Sequence, residues 1–122
     1  MRDHTKLRAF VLADELLLKI YQITKKFPRE EQFGLTSQMR RAAVSVLSNI
    51  VEGCARESLA EYCRFLEIAF ASLRELHYQV SLATRMEYLN ENPDVLPNLN
   101  INEVEKVLGS LLRAVRKIRP TA

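Results

Sequence analysis

The residues able to do chemistry are few, and their spacing is wrong for most of it. A di-iron bundle needs inward glutamates and a Glu-x-x-His pair on facing helices. The chain has two histidines, His4 and His77, and neither has a glutamate three residues before it. His77 falls on an apolar helical seam and reads as a hydrogen-bonded core histidine. Cys54 and Cys63 are the only cysteines. They lack metal-ligand spacing and occupy apolar helical positions, so they read as buried free thiols in a reducing compartment. No serine, cysteine or lysine lies in a nucleophile motif, and no glycine-rich phosphate loop occurs. The sequence therefore assigns no catalytic, cofactor-binding or metal-binding residue, and the chain reads as a non-enzyme.

Two other patterns remain, and both suit binding. The first lies on the stretch Leu35–Gly53. At 100° per residue, Met39, Ala42, Ala43, Val46, Leu47, Ile50 and Cys54 form one apolar face. Arg41, Ser45, Ser48, Asn49, Glu52 and Arg56 gather on the other side. A purely solvated face usually carries Lys and Glu. A face of Ser, Asn and Arg can hydrogen-bond to a neighbour. If the next helix returns antiparallel, Arg41 comes level with Ser72–Glu75 and Glu52 with Glu61–Arg64, so Arg41–Glu75 and Glu52–Arg64 are expected pairs. This polar seam is a candidate contact between helices or between copies of the chain.

The second pattern is basic. Phosphate binding needs clustered cations. Lys25, Lys26 and Arg29 follow the first helix, Arg40 and Arg56 lie on the second, and Arg113, Arg116, Lys117 and Arg119 end the last. The formal net charge is only +3, but it is uneven. Six acids face three arginines over residues 59–101, while the C-terminal segment is cationic. A solvated last turn complementing the helix dipole is the alternative reading of that end.

These residues must be placed by helices. A chain of 122 residues is one domain, long enough to bury a stable core. It is 48% hydrophobic with three glycines, and no period-two alternation or hairpin turn marks a strand. A first helix is expected over about 6–27, with Leu7, Phe10, Leu17, Tyr21, Thr24 and Phe27 as its apolar stripe and Pro28 ending it. Gly34 can make the turn. Thr36 is the expected N-cap of a helix over 36–55. Ser58 and Glu61 spell a capping box for a helix over 59–85, whose seam is Leu59, Tyr62, Leu66, Ala69, Leu73, Leu76, Val80 and Ala83. The Asn- and Pro-rich stretch 87–101 reads as a loop. Asn100 with Glu103 suggests the cap of a last helix over 101–118, with Val104, Leu108, Leu111, Val115 and Ile118 buried. Short links make consecutive helices antiparallel neighbours. No apolar run approaches the ~20 residues of a membrane span. The N-terminus lacks a signal-peptide core, so a cytoplasmic location is expected.

Several strings also resemble a known family, the small proteins encoded within intervening sequences of bacterial 23S ribosomal RNA genes. They are Tyr21-x-x-Thr24-x-x-Phe27-Pro28, the run from Phe33 through Gly34, Leu35, Thr36, Ser37, Gln38, Met39, Arg40 and Arg41 to Ser45, and Ser48-Asn49-Ile50-x-Glu52-Gly53. The similarity continues through Glu61-Tyr62-x-Arg64-Phe65-Leu66 and Ala71-Ser72-Leu73-x-Glu75-Leu76. Leu47 stands where the family usually has proline, so a straight second helix is expected. The resemblance implies an antiparallel up-and-down four-helix bundle assembled into a homo-oligomeric, pentameric ring. A weaker similarity of fold and size, to the accessory proteins of diversity-generating retroelements, implies a nucleic-acid partner. The combined expectation is an all-α, non-enzymatic scaffold that partners itself and binds RNA or DNA through basic rims. The alternative is an adaptor for a protein encoded nearby, with no nucleic-acid role.

Overall fold

The structure is a computed structural model describing residues 2–89 and 99–118. The segment 90–98, with most of the expected Asn/Pro loop, and Arg119 and Pro120 lie outside the described residues. Among the described residues there are four α-helices and no strand. They are α1 (Arg8–Thr24), α2 (Leu35–Cys54), α3 (Leu59–Arg85) and α4 (Ile101–Ile118), with short 3-10 turns at His4–Lys6 and Arg29–Glu31.

Each boundary has a local cause. Ser58 is extended (φ −80°, ψ 140°), and its Oγ accepts from the Glu61 amide at 3.0 Å, capping α3. The start of α2 differs from expectation. Gly34, not Thr36, holds the cap position, and Thr36 is buried inside the helix. The cause is Glu31, whose Oε1 accepts from the Leu35 amide at 3.1 Å, doing from outside the helix what a cap side chain would do. A Cβ on Gly34 would lie 2.7 Å from that same oxygen, so glycine is what lets the carboxylate fold in. Asn100 also departs from the expected cap box. It is left-handed (φ 58°), a conformation asparagine tolerates, and its carbonyl accepts from Val104. Glu103 reaches Arg8 at 3.1 Å.

One apolar core runs between the helices. α2 contributes the expected face, from Met39 to Cys54, every member buried. α3 contributes Tyr62, Leu66, Ala69, Leu73, Leu76, Val80 and Ala83. On α1 the deepest positions are Ala9, Ala13, Leu16 and Ile20, and the expected Leu7, Phe10, Leu17 and Tyr21 are only half-buried. Small alanines let the neighbours approach along that line, leaving the bulkier stripe on the flank. On α4, Leu112 replaces Leu111 in the core, and Ile118 is exposed. α2 runs unbroken past Leu47, as expected without the proline.

Side-chain pairs fix the helix directions. Arg40 of α2 reaches Thr24 near the end of α1, while the Arg2 amide reaches the Cys54 carbonyl at the other end of α2. Arg41 pairs with Glu75, and Gly53 abuts Phe65, so α2 and α3 are antiparallel. Glu105 meets both Arg74 (2.6 Å) and His77 Nδ1 (2.7 Å), and Arg116 meets Glu67 (3.0 Å), so α4 returns along α3. His77 is therefore half-buried at an interhelical carboxylate rather than sealed in the core. The Arg8–Glu103 pair joins the first turn of α1 to the first turn of α4.

Candidate interaction surfaces

The polar seam of α2 is used in two ways. Its inner half ties α2 to α3 within the chain. Ser45 Oγ and Ser72 Oγ are 2.8 Å apart, and Asn49 Nδ2 donates to the Ser45 carbonyl at 2.8 Å and to its Oγ at 3.1 Å. Arg41 donates to Gln38 Oε1 (2.9 Å) and to Glu75 Oε1 (2.5 Å), forming a strut across the two helices. The outer half, Ser48 and Glu52, faces outward. Glu52 does not reach Arg64. It takes Arg56, four residues on and just past the end of α2, at 3.4 Å.

The basic candidates divide similarly. Arg40 is half-buried, donating to Thr24 Oγ1 (2.9 Å) and the Tyr21 carbonyl (3.3 Å), with its guanidinium 4.6 Å from the Tyr21 ring centroid. Arg116 is held by Glu67, whose hydrogen bond raises its already high pKa. Arg56 pairs with Glu52 and lies over Phe65. Arg113 donates to Ser110 at 3.2 Å. Lys25, Lys26 and Arg29 are exposed on the α1–α2 turn, and Lys117 is exposed near the end of α4. Arg119 lies outside the described residues. Of the acids on the turn, Glu31 is committed inward to Tyr88 Oη (2.7 Å) and Leu35, leaving Glu30 outside. The Tyr88 hydroxyl holds the Glu31 carboxyl below its usual range, and the carboxylate in turn pushes the Tyr88 hydroxyl up.

The sequence pattern did not single out several of the exposed apolar residues. Phe33 is 88% exposed, Tyr78 60% and Met86 50%, and Val44, Val51 and Ile68 also reach the surface of α2 and α3. Phe33 stands in a polar turn, which is the signal periodicity passes over. Leu35, Tyr78, Leu82 and Met86 line a groove of about 390 Å³ on one side of the Gln38–Arg41–Glu75 strut. Phe33 and Val44 border a second hollow, of about 500 Å³, on the other side with Arg41.

Near the other end of α2 lies a buried pair, Cys54 and Tyr62, with Arg2 4.1 Å from the centre of the Tyr62 ring. Burial pushes the Cys54 thiol up, away from the reactive thiolate. Burial, reinforced by Cys54, pushes the Tyr62 hydroxyl up to about 12. In the unfolded chain a tyrosine ionises near 10. The raised folded value means Tyr62 adds stability that is complete below about pH 10 and fades as pH climbs towards about 12. Screening reduces its size, and we expect roughly 1 kcal/mol. Urea midpoints between pH 9 and 12 check this, because Tyr62→Phe should flatten that part of the alkaline slope.

No helix among the described residues is long and apolar enough to cross a membrane. The fold is that of an all-helical protein with exposed apolar residues on its surface among the described residues. A family model described as 23S rRNA-intervening sequence protein matches residues 5–110. The chain belongs to that family. A crystal structure of a protein of unknown function from the S23 ribosomal protein family of Bacteroides thetaiotaomicron has the same fold, with a TM-score of 0.75 and 25% identity over 86% of this chain and 95% of that one. No curated protein matches.

Proposed function

We propose that the chain is a non-enzymatic scaffold that assembles with copies of itself, in a pentameric ring, and holds RNA or DNA at a basic rim in the cytoplasm. The observation that carries the reading is the exposed apolar surface of α2, α3 and the α1–α2 turn, with Phe33, Tyr78 and Met86 each at least half exposed. Large apolar side chains this exposed on a small protein suit a surface that a partner covers. The family resemblance set out above implies a ring, and five is the number it implies.

The rim is the α1–α2 turn. Lys25, Lys26 and Arg29 are exposed there, whereas Arg40 and Arg116 are engaged within the chain. A ring repeats each turn around its edge and multiplies a small charge into a continuous one. The modest net charge and those internal commitments favour a second reading, an adaptor for a protein partner. Light scattering at micromolar concentration tests assembly. Fluorescence anisotropy with single-stranded RNA and DNA, titrated with salt, tests the rim. A multiple of the chain mass and affinity falling steeply with salt are expected. A folded single copy would sink the scaffold, and a multimer blind to nucleic acid at low salt would leave the adaptor.

A further inference from the structure

A single chain leaves both an apolar knob and an apolar groove uncovered. The knob is Phe33, 88% exposed on the turn before α2. The groove lies between α2 and the end of α3, with Leu35, Tyr78, Leu82 and Met86 as its apolar lining. Its volume of about 390 Å³ is ample for a phenyl ring. Gln79 lines the groove and is only 8% exposed, and its Oε1 is the buried side-chain oxygen or nitrogen left without a hydrogen-bond partner among the described residues. Its amide nitrogen makes only a long bond, 3.4 Å, to Glu75. A phenyl ring offers that oxygen no hydrogen bond, so the fit of the ring rests on the groove's apolar lining and volume.

The placement favours a second copy over an unrelated protein. Phe33 borders a different hollow and does not line the groove of its own chain. Both lie at the same end of the molecule, since Glu31 and Leu35, two residues either side of Phe33, line the groove. A neighbour therefore docks by rotation with little rise along the helices. A head-to-tail contact without rise closes into a ring, whereas one with rise grows a filament.

We propose that Phe33 of each copy inserts into the Leu35–Tyr78–Leu82–Met86 groove of the next, and that this contact closes the ring. The inference rests on the scaffold reading and names its interface. The groove rim carries Glu31 and Glu75, so Phe33→Glu would meet like charge as well as lose its ring. Met86→Glu spoils the groove and leaves the knob intact.

The test is native mass of the wild type, of each variant, and of the variants mixed in equal amounts, with helical content by circular dichroism confirming that each folds. Both positions are exposed, so folding is expected to survive. The wild type should be a multimer. Each variant should dissociate, needing at least about 30-fold more protein to assemble, as for a hot-spot residue. The mixture should recover a two-chain species and no ring, because only one intact knob–groove pair exists per two chains. A multimeric wild type with either variant unchanged in mass overturns the Phe33 contact but leaves the scaffold standing. Two dissociated variants whose mixture stays monomeric also overturn it. A wild type that is itself a single copy overturns the scaffold reading.

Discussion

Gly53→Val is expected to cost the chain about 3 kcal/mol of stability, near the top of the range for overpacking a well-packed interior. Gly53 lies in the last turn of α2, where α3 comes closest. A Cβ there would stand 2.9 Å from Phe65 Cβ, 3.3 Å from Tyr62 Cδ1 and 3.4 Å from the Tyr62 carbonyl. Phe65 Cβ is anchored to backbone and cannot swing away as a side-chain tip would. Relief requires α2 and α3 to separate, and the short connection between Cys54 and Leu59 holds them together at this level. The adjoining Cys54–Tyr62 pair and the Arg2 guanidinium over the ring would be disturbed by the same movement. Gly109→Ala is the control. Its Cβ would meet Phe70 and Arg113 at 3.4 Å, ordinary van der Waals contact, and alanine favours a helix interior by about 1 kcal/mol. Urea midpoints at one fixed protein concentration should move in opposite directions for the two variants. Equal behaviour would show that Gly53 is not where the helices touch.

These two glycines also show what the sequence could and could not convey. Both stand in apolar helical runs and look alike on a helical wheel. Only the packing of α3 against α2 separates a position that excludes a methyl group from one that accepts it. Helix number and extent were legible because they follow from local pattern. The Ser58 cap, the seam of α3 and the Arg41–Glu75 pair all follow from spacing and an antiparallel return. Thr36 failed as a cap because a residue outside the helix, Glu31, reached the free amide first. The α1 stripe failed because periodicity weighs side-chain size, whereas the closest approach runs along Ala9 and Ala13. The surface was least legible of all. Phe33 carries no periodic signal, since a lone aromatic in a polar turn belongs to no face.

Neutralising Lys25, Lys26 and Arg29 together is expected to weaken nucleic-acid binding about 100-fold at ~0.1 M salt. Each phosphate neutralised on a single strand contributes about 0.7 to the slope of log affinity against log salt. Removing all three cations therefore takes roughly 2 from that slope for each chain engaged, and about two decades of affinity at ~0.1 M. These side chains are exposed, so their loss should leave the helices intact. Neutralising Arg113 and Lys117 should have the smaller effect. Their neighbour Arg116 is already neutralised by Glu67, which leaves that end with a thinner field among the described residues. The turn set removes three cations and the α4 set two, so the informative comparison is the loss of slope per cation removed. Anisotropy titrations at several salt concentrations supply both affinity and slope. A turn variant with the wild-type slope would place the phosphate elsewhere, and a steeper loss from the α4 variant would move the rim to the opposite end of the molecule.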